Sequence, residues 1–168
     1  VTAHCANTGA MLGVNKEGVT SWLSKSNDPK RKLKWSWELV QIDKTIIGIN
    51  THNPNKIVQE AIQNNKIKEL IDYSILKREI KYGTNSKIDI LLQDDSKKDC
   101  YVEIKNVHLS REKGLAEFPD AITTRGSIHL LTLIDAIIKG YKSYLIFLVQ
   151  IQNMEYFKIA KDLSLIHI

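Results

Sequence analysis

Near Thr51 the hydrophobic pattern of the chain changes period, and this change constrains the fold more than any other feature. Before it, apolar residues come in short stretches at Val1 to Cys5, Val19 to Leu23, Leu33 to Ile42 and Ile46 to Asn50. Turn-rich pieces separate them: Asn7-Thr8-Gly9, Lys16-Glu17-Gly18 and Ser26-Asn27-Asp28-Pro29. Short apolar runs bounded by Gly, Asn, Asp and Pro read as strands joined by turns. Several of them in so few residues predict a small all-β barrel or sandwich, truncated by the loss of its first strands. From Asn53 onward Ile57, Val58, Ala61, Ile62 and Ile67 recur at helical spacing, which predicts a helix from Pro54 to about Glu69 with a break near Asn64-Asn65. The change of period is read as a boundary between a domain at residues 1–50 and a second at 51–162.

The second segment continues as a mixed α/β pattern. Ser74 to Tyr82 reads as a strand that turns at Gly83-Thr84-Asn85 into a strand over Lys87 to Leu92. A polar loop, Gln93 to Cys100, leads to another strand at Tyr101 to Lys105. Ser110 to Glu117 is charged and contains Gly114, so a mobile loop close to the strand ends is expected. Phe118-Pro119-Asp120 is expected to start a second helix, buried through Leu130, Leu133, Ile134, Ile137 and Ile138 and capped by Gly140. Tyr144 to Val149 is apolar on both faces, as a central strand covered by helices would be. Helix, strands, helix and buried strand together describe a mixed α/β sheet.

With 168 residues, 43% hydrophobic and 26% charged, the chain is globular, and no apolar run is long enough to cross a bilayer. A net charge of +5 and a pI near 9.1 suit an anionic partner such as nucleic acid. Cys5 and Cys100 stand alone, without zinc spacing, which fits a reducing cytosol and argues against a structural zinc site. No targeting peptide is visible, and the start at Val1 suggests a fragment that begins partway through a domain. Residues 163–168 resemble the translated end of a transposon used in sequencing libraries and are read as a non-native tail.

The candidate chemistry lies on the strands from Lys87 to Lys105. Side chains alternate along a strand, so Ile88, Ile90 and Leu92 are expected on one face, with Lys87 and Asp89 on the other. On the next strand Val102 and Ile104 share a face, opposite Tyr101, Glu103 and Lys105. Paired as a hairpin, the strands bring Asp89, Glu103 and Lys105 to one patch. Two carboxylates supply hard oxygen ligands for Mg²⁺ or Mn²⁺, and Lys105 would orient a water or neutralise charge on a phosphate. The same pattern also fits a cross-strand ion pair on a solvated sheet face. Glu60 on the first helix is a further candidate for the metal site, or an exposed helix acid.

For nucleic acid, Lys30, Arg31, Lys32 and Lys34 lie beside Trp35 and Trp37, with Trp22 on the preceding strand. Barrels that bind nucleic acid combine cations for phosphates with aromatics on which bases stack. Against this stands a Trp-filled core with a solvated basic edge. Arg125 and His129, four residues apart, would grip a phosphate with Gly126 allowing close approach, or form a surface pair.

Several of these stretches resemble one family. His4-Cys5-Ala6-Asn7-Thr8-Gly9-Ala10-Met11, Arg31-Lys32-Leu33 followed by Trp37-Glu38-Leu39, Asn50-Thr51 with Asn55, and Lys87-Ile88-Asp89 carry the resemblance. So do Val102-Glu103-Ile104-Lys105 and Phe118 to Gly126 followed by His129-Leu130. Together they are similar to the sugar fermentation stimulation protein A (SfsA) family, over the chain up to about Asp162. The resemblance implies an N-terminal OB-like barrel followed by a PD-(D/E)XK nuclease-like α/β domain. It implies DNA binding, a link to regulation of sugar, especially maltose, metabolism, metal binding at Asp89 and Glu103, and a catalytic lysine at Lys105. Asp120, Arg125 and His129 would line the same cleft. Ala6 departs from the family's usual Pro, Lys87 from its Arg, and Ile128 from a common Lys.

The reading is a cytoplasmic DNA-binding protein with a nuclease-like Mg²⁺ site that hydrolyses phosphodiesters. One alternative is a DNA-binding regulatory module without chemistry, although a pure binder has no evident need for two acids near phosphate. Another is an enzyme acting on a small anionic metabolite, whose DNA affinity would be weak and nearly insensitive to salt.

Overall fold

The computed structural model describes residues 1–7, 9, 11, 13–83, 86–118 and 124–160, apart from the side chains of residues 124 and 125. The tail at 163–168 and the helix start expected at Pro119 and Asp120 lie outside the described residues. In chain order the strands are β1 (Ala3–His4), β2 (Ser21–Lys25), β3 (Trp35–Ile42) and β4 (Thr45–Gly48), then β5 (Ile75–Tyr82), β6 (Ser86–Asp94) and β7 (Lys97–Val107). They continue with β8 (Leu109–Glu112), β9 (Leu115–Phe118), β10 (Lys142–Val149) and β11 (Tyr156–Ile159). The helices are α1 (Asn53–Gln63) and α2 (Thr124–Ile138), with a single 3₁₀ turn at Lys68–Leu70.

The chain divides into two compact units, one built on Val1–Asn53 with Asn106–Pro119 and Val149–Asp162, the other on Pro54–Lys105 and Asp120–Leu148. The boundary near residue 51 is therefore one of several crossings. The ends of β7 (Asn106, Val107) and β10 (Val149) fall in the first unit, where the Val107 carbonyl accepts from Gln150 N at 2.8 Å.

In the first unit β3 is the hub, pairing antiparallel with β2 and β4 and parallel with β1. A second sheet has the order β11-β9-β8. Val40, Ile47, Ile49, Val107, Leu109, Ala116 and Ile151 are buried. The stretch from Ser110 to Glu117, expected as a mobile loop, forms the β8–β9 hairpin instead. Gly114 turns it at a φ of +77°, which a glycine adopts without steric cost, and Arg111 reaches across to the fully buried Glu117. Family-like motifs tie this unit together. The side-chain Oδ1 of Asn7 accepts from Gly9 N at 2.9 Å, Thr51 donates to the Ala6 backbone carbonyl at 2.9 Å, and Glu38 accepts from Asn50 and Asn53, each at 2.9 Å.

In the second unit the sheet order is β10-β7-β6-β5, so β10 is an edge strand of this sheet among the described residues, not the central strand its two-sided apolarity suggested. Its side chains are half-buried rather than buried. One face packs Ile90, Leu92, Cys100, Val102 and Ile104 on Val58 and Ile62 of α1. The other packs Leu91 and Tyr101 with Leu133 and Ala136 of α2.

Helix α1 stops at Gln63, short of Glu69. Asn65 takes a left-handed φ of +53°, and Lys66 N and Asn65 N bond back to the carbonyls of Ala61 and Ile62, a C-terminal cap that closes the helix. Gly140 caps α2 in the same way, at a φ of +88° with Tyr141 N donating to the Ala136 carbonyl. Phe118, expected to start this helix, ends β9. The buried stripe of α2 also differs from expectation: Leu133 is buried, but Ile134, Ile137 and Ile138 are 44%, 56% and 78% exposed. A helix apolar all round does not reveal by period which face meets the sheet.

Candidate functional site

Asp89 sits where the β-ladder of the second unit fails on both sides. Between β5 and β6 the pairing runs from Arg78↔Ile90 to Ile80↔Ile88 and omits Glu79 and Asp89. Glu79 there adopts a left-handed φ of +51°, a conformation that costs a non-glycine residue about 1 kcal/mol. Between β6 and β7 the register stops at Ile90↔Val102. The same irregularity explains a departure from strict alternation: Ile88 packs with Leu91 and Tyr101, not with Ile90 and Leu92. The Asp89 carboxylate takes over for the missing ladder, its Oδ2 accepting from Ile104 N at 2.8 Å. This anchors Asp89 to the backbone of the residue next to Glu103.

The second oxygen of Asp89 is held from α1. Asn55 Nδ2 donates to Oδ1 at 2.9 Å. Glu60, the candidate from that helix, is exposed and lies five positions on, about 140° round the helix from Asn55. The helix therefore presents an amide to Asp89, not a third acid. A signal for Asn55 was available: it shares a stripe with Val58 and Ile62, and a polar residue on a buried stripe needs a partner.

Glu103 is 4% exposed, and a buried carboxylate needs cations or donors around it. Lys105 Nζ donates to its Oε1 at 3.0 Å. His129 on α2 approaches the same Oε1 through Nδ1. Both contacts fall on one oxygen, and among the described residues Oε2 accepts no hydrogen bond. The structure thus joins Glu103, Lys105 and His129, and fixes Asp89 through Asn55 and Ile104. Arg125 lies in the first turn of α2, its side chain outside the described part.

The basic candidates belong to the first unit. Lys30, Lys32 and Lys34 are exposed on the connection from β2 to β3. Lys34 Nζ donates to the carbonyls of Asp28 and Pro29, each at 3.2 Å, and Arg31 Nη2 to Ser36 Oγ at 2.6 Å. Trp35 is half-buried beneath Lys25 Nζ, 5.9 Å from the ring centroid, a cation–π contact that sequence reasoning missed. The register pairs Trp22 with Leu39, Leu23 with Trp37 and Lys25 with Trp35, with a bulge between Trp22 and Leu23. All three tryptophans therefore share one face of the β2–β3 ribbon, and Trp22 is 38% exposed.

Fold and site define a protein with an OB domain followed by an α/β domain. Residues 1–49 match the SfsA N-terminal OB domain, and residues 52–165 match the sugar fermentation stimulation protein RE domain. The chain belongs to the sugar fermentation stimulation protein (SfsA) family. It is 50% identical over 164 residues to the sugar fermentation stimulation protein homolog of Pelagibacter ubique, covering 98% of this chain and 70% of that protein. The homolog of Paramagnetospirillum magneticum is 48% identical over 164 residues, covering 98% and 69%. Pyrococcus furiosus SfsA, solved in complex with Ca²⁺, superposes with a TM-score of 0.85 at 25% identity, covering 96% of this chain and 68% of that one.

No group of three or more His, Cys, Asp or Glu side chains among the described residues is arranged to hold an ion. Mg²⁺ needs no such cage, since it takes one or two carboxylates and completes its shell with water and phosphate oxygens. Among the described residues Asp89 accepts from neutral donors and Glu103 takes no hydrogen bond on Oε2, so each carboxylate has an oxygen to offer such an ion.

Proposed function

We propose that this protein binds DNA and hydrolyses phosphodiesters with a divalent cation, Mg²⁺ or Mn²⁺, held by Asp89 and Glu103. The observation that carries this reading is the half-open Glu103: Lys105 and His129 converge on Oε1 while Oε2 takes no hydrogen bond among the described residues. An acid kept only for stability gains by engaging both oxygens. The Ca²⁺ bound to the Pyrococcus relative supports an oxygen-lined cation site here as well. When bound, the cation would polarise the phosphate and lower the pKa of a water.

The chain's own residues supply the rest. Asn55 and the Ile104 amide fix the Asp89 carboxylate. Lys105, tethered to Glu103, neutralises charge that develops on the phosphate or orients the attacking water. His129 holds Glu103 in place and stands with Arg125 as a phosphate contact. Lys30, Arg31, Lys32 and Lys34 neutralise the DNA backbone, with Trp35 as a surface for bases. The free thiols of Cys5 and Cys100 support a cytoplasmic location. No helix among the described residues is long and apolar enough to cross a membrane. A role in sugar metabolism is supported by the name of the relatives alone.

The test incubates labelled single- and double-stranded DNA with the protein, with Mg²⁺, with Mn²⁺ and with chelator, beside Asp89→Asn. The reading predicts a mobility shift that weakens steeply with salt, and metal-dependent cleavage that Asp89→Asn abolishes. A shift without cleavage in any metal would leave a binding module; neither shift nor cleavage would overturn the whole reading.

A further inference from the structure

We propose that Asn55 is the positioning residue of the acid pair: its amide fixes the Asp89 carboxylate and thereby sets the affinity of Asp89 and Glu103 for a divalent cation. This inference rests on the reading that the two acids hold such a cation. Asp89 loses its neighbours' ladder bonds on both sides, so regular sheet geometry does not orient it. Two donors replace that ladder, Ile104 N at 2.8 Å on Oδ2 and Asn55 Nδ2 at 2.9 Å on Oδ1. A carboxylate gripped at both oxygens has its plane fixed, and each oxygen keeps a second lone pair.

The chemical identity of the donor matters. Among the described residues both hydrogen-bond partners of Asp89 are neutral, so its negative charge is left whole for a cation. Lys105, by contrast, brings a positive charge to Glu103, which an incoming cation must work against. An Asn at this place orients an acid without cancelling it, whereas a Lys or Arg would do both. Only proline would remove the Ile104 N–H, and within β7 it would disrupt the strand, which leaves Asn55 as the adjustable half of the grip. Its place follows from α1: Asn55 lies in the first turn, on the stripe that buries Val58 and Ile62 against the sheet. Outer partners that orient metal-binding side chains change affinity about 10–100-fold when removed.

The experiment titrates the full chain with Ca²⁺ by calorimetry, for wild type, Asn55→Ala and Asn55→Leu, and records thermal unfolding of each without cation. Asn55→Ala is expected to weaken Ca²⁺ binding about 10–100-fold. Asn55→Leu keeps the branched shape of the side chain without its donor and is expected to weaken Ca²⁺ binding by a similar factor. A merely structural Asn55 would lower the melting temperature of Asn55→Ala and leave its Ca²⁺ affinity at the wild-type value, and that result overturns the inference alone. Should Asn55→Ala not fold, an Asn55→Leu protein that binds Ca²⁺ at the wild-type value overturns it as well. If wild type itself binds no Ca²⁺, the cation reading of the site falls, and this inference with it.

Discussion

Glu117 in the first unit and Glu103 in the second are both buried acids, and they are held in opposite ways. Glu117 is closed. Arg111 Nε donates to its Oε2 at 2.8 Å and Arg111 Nη2 to Oε1 at 2.8 Å, the Arg111 backbone N adds a bond to Oε2 at 3.2 Å, and Lys158 Nζ lies 3.3 Å from Oε1. The guanidinium fork beside it holds its carboxyl down at about 2. Glu103 is half-open, with both its partners on Oε1. A closed carboxylate has nothing left to offer a ligand and acts as a staple for its hairpin. A half-open one keeps a hard oxygen free beside a lysine, and the neighbouring acid is fixed by neutral donors. Burial alone therefore does not distinguish the two acids; the distribution of partners over their oxygens does.

The largest effect that could break this comparison is on stability. Replacing Glu117 by Gln leaves Arg111 facing a neutral amide; the guanidinium is itself 40% exposed and stays solvated, so the loss is that of charge-assisted hydrogen bonds, about 1.5–3 kcal/mol. Urea unfolding of Glu117→Gln should show a loss of that order, while the proposed cleavage, per folded molecule, should stay as in wild type. A fall in specific cleavage would mean that Glu117 belongs to the chemistry after all.

A smaller and graded effect is expected on acidification. The carboxyl of Glu117 is lowered from 4.5 to about 2 in the folded chain, so between these values the unfolded chain binds more protons. The stabilisation is fully present above about pH 4.5 and fades as pH falls toward 2. The pH dependence of urea unfolding should therefore flatten in this window in Glu117→Gln. An unchanged slope would show that other acids carry it.

The smallest effect concerns the backbone. The hairpin of Glu117 places its left-handed residue on Gly114, whereas the strand opposite Asp89 places one on Glu79. Glu79→Gly should stabilise the protein by about 1 kcal/mol by removing that strain, partly offset by the chain entropy of glycine. A destabilised Glu79→Gly would mean that its side chain contributes more than its backbone costs.

Much of this site was legible because strands are periodic. Residues two apart share a face, so Glu103 and Lys105 were readable as neighbours, and their contact is seen at 3.0 Å. Asp89 was readable as an acid of the adjacent strand, but the ladder break that fixes it was not, since no residue type announces a left-handed glutamate at position 79. Asn55 was missed because an acid, Glu60, drew attention to the wrong side of α1. The hairpin at 109–118 was misread because its charges looked solvated, while in the fold Arg111 and Glu117 neutralise each other across it. The edge position of β10 depends on which strand pairs with which, and a run of apolar residues carries no such information.

The most direct test of the account is thermal unfolding of wild type, Glu103→Gln and Glu117→Gln with and without Mn²⁺. A ligand at a hundred times its dissociation constant stabilises the folded chain by about 2.7 kcal/mol. Wild type and Glu117→Gln should both melt higher with Mn²⁺, by similar increments from different starting points, and Glu103→Gln should show little or no shift. Equal Mn²⁺ shifts in wild type and Glu103→Gln, or no shift in wild type, would contradict the claim that the open oxygen of Glu103 is there to take a cation.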